Sequence, residues 1–191
     1  LAASEIVLSL QSIVSRRVPA VEPAVVSVCE FHAGTAYNII PSGARLSGSV
    51  RSFGEETRRL IEREARLICE RVAQAHGCTA WLNWIEGYPG VVNDGKLTDY
   101  AERTIADRFG AERFRHIGVI MPGEDFSYLH EGRPGFFVEL GTKNAALGAD
   151  KPHHNPEYRM DEGALVCGLQ YHYDMARALL DGTRNFWEGE V

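Results

Sequence analysis

Residues 44–77 read ARLSGSVRSFGEETRRLIEREARLICERVAQAHG, and the change of period inside this run decides the fold class. Up to Arg51 the positions alternate: Ala44, Leu46, Gly48 and Val50 point one way, and Arg45, Ser47, Ser49 and Arg51 the other. That two-residue period belongs to a strand with one buried face. From Ser52 the period becomes helical. Ser52 followed by Glu55 has the form of a capping box, Ile61, Ala65, Ile68, Val72 and Ala75 make one apolar stripe, and Gly77 suits the left-handed residue after a helix. A strand leading straight into an amphipathic helix predicts a mixed α/β fold.

Working outward, the Val-rich segment from Ala24 to Phe31 predicts a second strand, and the short link from Gly34 to Pro41 makes the two an antiparallel pair. Residues 3–17 carry Ile6, Leu10 and Ile13 in helical register and stop at Arg16-Arg17 and Pro19. Downstream, Thr79 to Ile85 predicts another strand, with Trp81 and Trp84 of opposite parity. Helix, strand, strand, helix, strand is the split βαββαβ order without its first strand. The chain opens on Leu1 and enters a helix at once, so a fragment of a longer protein is expected. Gly87-Tyr88-Pro89-Gly90 is the best boundary, dividing an expected domain 1–86 from a second part, 87–191. That second part predicts a helix over 96–109, strands near 115–120 and 135–140, a glycine-punctuated loop from Gly141 to Pro156, and a helix over 161–180. The last helix is expected to bury Leu165, Leu169, Ala176 and Leu179 or Leu180 and to end at Gly182. Alternating strands and helices indicate part of an α/β sheet.

Composition excludes several classes. The 191 residues are 45% hydrophobic and 24% charged, as in ordinary globular proteins. No run approaches the ~18 apolar residues of a membrane span. A net charge of −6 with pI ≈ 5.7 argues against a nucleic-acid partner, since counterion release needs a basic face. The arginines at 58, 59, 63, 66 and 71 are interleaved with glutamates and read as a solvated helix face with ion pairs. Cys29, Cys69, Cys78 and Cys167 lack CxxC spacing, which predicts reduced, buried thiols and a cytoplasmic location. No GxSxG, GxxxxGK[ST] or HExxH motif is present, nor a GxGxxG after a strand.

Chemistry concentrates in Pro152-His153-His154-Asn155-Pro156, where two prolines restrict the loop. Rigid histidines suit metal ligation, but a site needs three or four ligands, and a turn in which one histidine caps the following helix fits as well. His32 ends a strand, a position that carries function or is merely exposed. Arg51 is either a surface residue or a bidentate clamp for a carboxylate. Glu124-Asp125 reads equally as an acid/base pair or as a cap.

Several stretches together resemble the M20 metallopeptidases, in particular the amidohydrolase branch of hippurate hydrolases and N-acyl-amino-acid deacylases. They are Val26-Ser27-Val28 through His32-Ala33-Gly34-Thr35-Ala36-Tyr37-Asn38-Ile39-Ile40-Pro41; Gly48 to Phe53; Gly87-Tyr88-Pro89; Gly123-Glu124-Asp125-Phe126-Ser127-Tyr128; and His154-Asn155-Pro156 with Asp161-Glu162-Gly163. The resemblance implies that residues 1–86 form a ferredoxin-like lid that also makes a homodimer, and that 87–191 close a catalytic domain with two divalent metals, zinc or manganese. It implies that His154 ligates metal, with His153 at a variable position. It implies that His32 reaches the neighbouring subunit's site to polarise the scissile carbonyl, and that Asn38 and Arg51 hold the substrate carboxylate near the Gly123 backbone. The substrate class implied is N-acyl or N-aroyl amino acids, such as hippurate. No stretch matches the family's other metal ligands or its general-base glutamate, so this chain alone is expected to be inactive. The competing expectation is a non-catalytic dimerisation or interaction module.

Overall fold

A computed structural model describes residues 1–181. Its elements, in chain order, are α1 (Ala2–Ser12), β1 (Ala24–Ala33), β2 (Ala44–Ser52), α2 (Glu55–Ala75), α3 (Gly95–Phe109), the single turn α4 (Phe126–Leu129) and α5 (Gly163–Leu180). The chain divides into two compact units: residues 1–90 with 119–128, and 91–118 with 129–191. The expected end of α5 at Gly182 lies outside the described residues.

In the first unit, α1 and α2 cover one face of a two-stranded antiparallel sheet. Ile6, Leu10, Ile13, Val18, Ile61 and Ala65 form the core, and Val26 and Val28 from β1 and Leu46 and Val50 from β2 pack onto it. The alternation in β2 therefore places its apolar residues as its period requires. The helix of residues 3–17 ends in a wide π-type turn, Ile13–Arg17, closed by Val18 N–H donating to the Ile13 carbonyl at 3.0 Å. The register slips between Val28 and Glu30, a bulge that leaves Cys29 without a partner on β2. Gly48 faces Val28 there, and a Cβ on it would collide with the Ser27 carbonyl.

The helix start differs from the expected capping box. Ser52 is the last residue of β2, Gly54 occupies the N-cap with no side-chain cap, and α2 begins at Glu55. The strand outlasts the alternation by one residue and so takes Ser52 out of capping position. On α2, Ala73 is buried and Ala75 is exposed, so the stripe shifts near its end. Gly77 follows at φ 65, as expected of a C′ glycine.

The three further strands do not form ladders among the described residues. Along 79–85 the side chains still alternate, with Ala80, Leu82 and Trp84 on the core and Trp81 exposed. The strand-like parity is present, but no neighbouring backbone pairs with it. In the second unit Asn93 substitutes for a strand neighbour: its amide Nδ2 donates to the Phe137 carbonyl and its Oδ1 accepts from Phe137 N–H, each at 2.9 Å. Asp94 caps α3, accepting from Leu97 N–H at 2.9 Å. Arg108 on α3 grips Asp174 on α5 through two nitrogens at 2.8 and 2.9 Å. The face of α5 expected to be buried is instead exposed at Leu165, Leu169, Ala176, Leu179 and Leu180, and Tyr171 is its buried residue. That stripe has the right period but no covering layer among the described residues.

Candidate functional site

The hairpin fixes the first group of candidates by register. His32 lies opposite Arg45 near the connecting loop, whereas Arg51 lies opposite Val25 at the base. Six residues of strand separate these levels, roughly 20 Å at 3.4 Å per residue. Asn38 is exposed in the loop beyond His32. Along the hairpin, one copy therefore holds His32 and Arg51 too far apart to reach the same small ligand.

Around His32 the bulge aligns a charged network. Glu30 lies opposite Ser47, accepts a hydrogen bond from its hydroxyl, and faces His32 at 3.9 Å and Arg45 at 3.6 Å. The Ser47 hydroxyl, then His32 and Arg45, hold the Glu30 carboxyl below the usual carboxylate range. Sequence reading missed Glu30 and Ser47, because a one-residue bulge hides which side chains stand opposite.

At the base of the hairpin, the Arg51 guanidinium donates through Nη1 to the Met121 carbonyl. This draws the segment before Gly123 against the end of β2. Glu124 then serves as a local cap: its Oε1 accepts from Phe126 N–H at 3.2 Å and its carbonyl from the Ser127 hydroxyl at 2.8 Å. Of the two roles open to Glu124, the structure displays this one.

His154 belongs to the second unit and has φ 67, the one non-glycine residue among those described with a positive φ. A tight set of bonds holds it: Asn155 N–H to the Pro152 carbonyl at 3.2 Å, Tyr158 N–H to the Asn155 carbonyl at 2.9 Å, and Glu157 N–H to Asn155 Oδ1 at 2.8 Å. His153 turns away to Tyr158, with Nε2 and the phenol oxygen 3.1 Å apart and the rings edge to face at 4.9 Å. Capping of α5 by a histidine is not observed, since Asp161 Oδ1 accepts from Gly163 N–H at 2.9 Å. Asn144 Nδ2 donates to the same carboxylate at 2.8 Å, and this bond is the largest of the effects that hold the Asp161 carboxyl below its ordinary range.

Among the described residues no three His, Cys, Asp or Glu side chains converge to hold a metal ion. His154 is at most one donor, so these residues do not by themselves fit a metal pair. The thiols are unpaired, but Cys29, Cys78 and Cys167 are exposed, contrary to the expected burial. Cys69 is half-buried, and burial pushes its thiol up. Among the described residues no helix is long and apolar enough to cross a membrane.

The described elements define a mixed helix-and-strand fold. Residues 14–178 match peptidase family M20/M25/M40, and the chain belongs to that family. It is 37% identical over 180 residues to an N-acetylcysteine deacetylase of Bacillus subtilis, covering 94% of this chain and 46% of that protein. It is 34% identical over 177 residues to a hippurate hydrolase of Campylobacter jejuni, covering 92% and 45%. A solved Bacillus subtilis structure, described as a dinuclear metal-binding peptidase of the M20 family, superposes with a TM-score of 0.74 at 33% identity, covering 94% of this chain and 45% of that one. The chain thus spans about half the length of the relatives it matches.

Proposed function

We propose that this chain is part of a metal-dependent amidohydrolase that cleaves the amide bond of N-acyl or N-aroyl amino acids. In this reading residues 1–86 are its lid and homodimer contact, and 87–191 are the closing part of its catalytic domain. The observation that carries the proposal is Arg51, bound to the Met121 carbonyl beside Gly123. A guanidinium has five N–H donors, and this contact uses one of its nitrogens, so a fork remains for a substrate carboxylate. The Gly123 backbone lies within the same segment. Relatives named for N-acetylcysteine and hippurate hydrolysis support the substrate class.

The register divides the labour. Because His32 stands roughly 20 Å from Arg51 along the hairpin, it acts on a substrate held by the Arg51 of a second copy. There His32 donates to the developing oxyanion, and Asn38 assists in holding the carboxylate. His154 supplies one donor to the two divalent ions of the intact subunit, zinc or manganese, and the other donors lie outside the described residues. The working compartment in this reading is the cytoplasm.

Mixed dimers of the intact protein test the arrangement. Combining His32→Ala subunits with Arg51→Gln subunits restores hydrolysis of an N-acyl amino acid, because one site of each mixed dimer keeps both groups. Activity no higher than in either parent overturns the shared site. The second reading, a non-catalytic interaction module, is favoured by the exposed apolar residues Leu165, Val166 and Leu169 on α5. Elemental analysis beside intact mass separates the two. Two metals per chain support the enzyme, and a metal-free dimer without turnover supports the module.

A further inference from the structure

Three segments far apart in sequence converge beside Arg51, and the two rings that Gly87-Tyr88-Pro89 and Gly123 to Tyr128 carry, Tyr88 and Tyr128, have no role in the reading above. All belong to the first compact unit. Arg51 reaches the Met121 carbonyl, and Gly90 lies against the Phe53 carbonyl, where a Cβ would come within 3.3 Å. Gly123 packs on the Tyr88 ring, with a Cβ built there 3.4 Å from Cδ2. Tyr88 and Tyr128 meet edge to face, with ring centroids 5.7 Å apart and planes at 68°, and the Tyr128 hydroxyl donates to the Gly87 carbonyl at 3.3 Å. Both rings remain about half exposed, 53% for Tyr88 and 52% for Tyr128.

We propose that Tyr88 and Tyr128 form an aromatic corner that receives the acyl group of the substrate, and that the acyl group preferred is an aromatic one. This rests on the reading of Arg51 as the carboxylate clamp. Two rings set edge to face leave one ring face and one edge for a third arene, which packs there in the offset or edge-on geometry that aromatic quadrupoles favour. An acetyl group offers no such face. The corner and the clamp are joined through one short stretch, Met121 to Gly123, so a ligand with a carboxylate at one end and an arene at the other engages both.

The test is binding to this chain, read by saturation-transfer NMR and titration, with N-benzoylglycine, N-acetylglycine and N-benzoylglycinamide as probes. N-benzoylglycine should bind about tenfold tighter than N-acetylglycine, and Tyr88→Ala should abolish that difference while leaving N-acetylglycine unchanged. Tyr88→Phe keeps the ring and should keep the preference, which separates loss of the corner from loss of the fold. Equal affinity for the two acids, or equal weakening of both by Tyr88→Ala, overturns the aromatic corner and leaves the clamp standing. If N-benzoylglycinamide binds as well as N-benzoylglycine and Arg51→Gln changes neither, the clamp fails while the aromatic preference survives. Absence of binding by every probe overturns both.

Discussion

Glu30 is the residue on which the His32 end of the hairpin turns. Its carboxyl is held low, first by the Ser47 hydroxyl and then by the charges of His32 and Arg45. A carboxyl depressed in the folded state adds stability above its unfolded pKa and loses it as pH falls through the folded value. Ser47→Ala should therefore raise the Glu30 pKa toward the ordinary range, which carboxyl-resolved NMR titration measures, and an unmoved midpoint would contradict the assignment. Ile61, wholly buried under the sheet, is the residue to probe for the core. Ile61→Ala should cost about 2–5 kcal/mol by removing buried methyl groups and leaving a cavity, read as a lower midpoint in urea. Arg51 and His154 stand out in the sequence as a carboxylate-binding side chain on a polar strand face and a histidine between prolines, and the family resemblance is what gives each a role. Glu30, Tyr88 and Tyr128 do not stand out, because their partners are set by a bulge and by long-range packing that carry no periodic signal.

At the scale of elements, glycine positions carry the sharpest expectations. Gly48 sits where β1 bulges, and a methyl group there meets the Ser27 carbonyl. Gly48→Ala should force the strands apart, seen as loss of amide-exchange protection through Val26 to Val28, whereas Ser49→Ala should leave it intact. Gly77, at φ 65, ends α2 in the left-handed region. Gly77→Ala should cost about 1–2 kcal/mol with no change in the fold, a shift that thermal unfolding resolves. The pairing of β1 with β2 and the span of α2 followed from periodicity, because the hydrophobic face and the chain twist act over neighbouring residues. The strands expected near 82, 117 and 137 differ. Their composition and, at 80–84, their alternation are strand-like, but a ladder needs a second backbone alongside, and none of the described residues supplies it.

At the scale of the whole chain, the two compact units each hold together by their own contacts, and large apolar side chains remain on the surface. On α5, Leu165, Val166, Leu169 and Tyr173 lie within two turns of one another, and Leu169 is 73% exposed. Such a stripe drives association in water. Sedimentation of this chain should reveal concentration-dependent self-association that Leu169→Lys reduces without lowering the melting temperature, and equal association in the variant would place the contact elsewhere.

Local physics along the chain is enough for a mixed α/β class, the hairpin, the body and C-terminal end of α2, the glycine turn near residue 87, and the proline-restricted histidine loop. Each follows from side-chain period, from proline and glycine backbone preferences, or from charge spacing within a few residues. Which strands find partners, the Glu30 network across a bulge, and the reach of Arg51 to Met121 in the segment that packs on Tyr88, with His32 at the other end of the hairpin, are settled by tertiary packing. These depend on which backbone lies beside which, and a contact between residues forty or seventy positions apart is fixed by packing of the assembled layers rather than by any pattern along the chain.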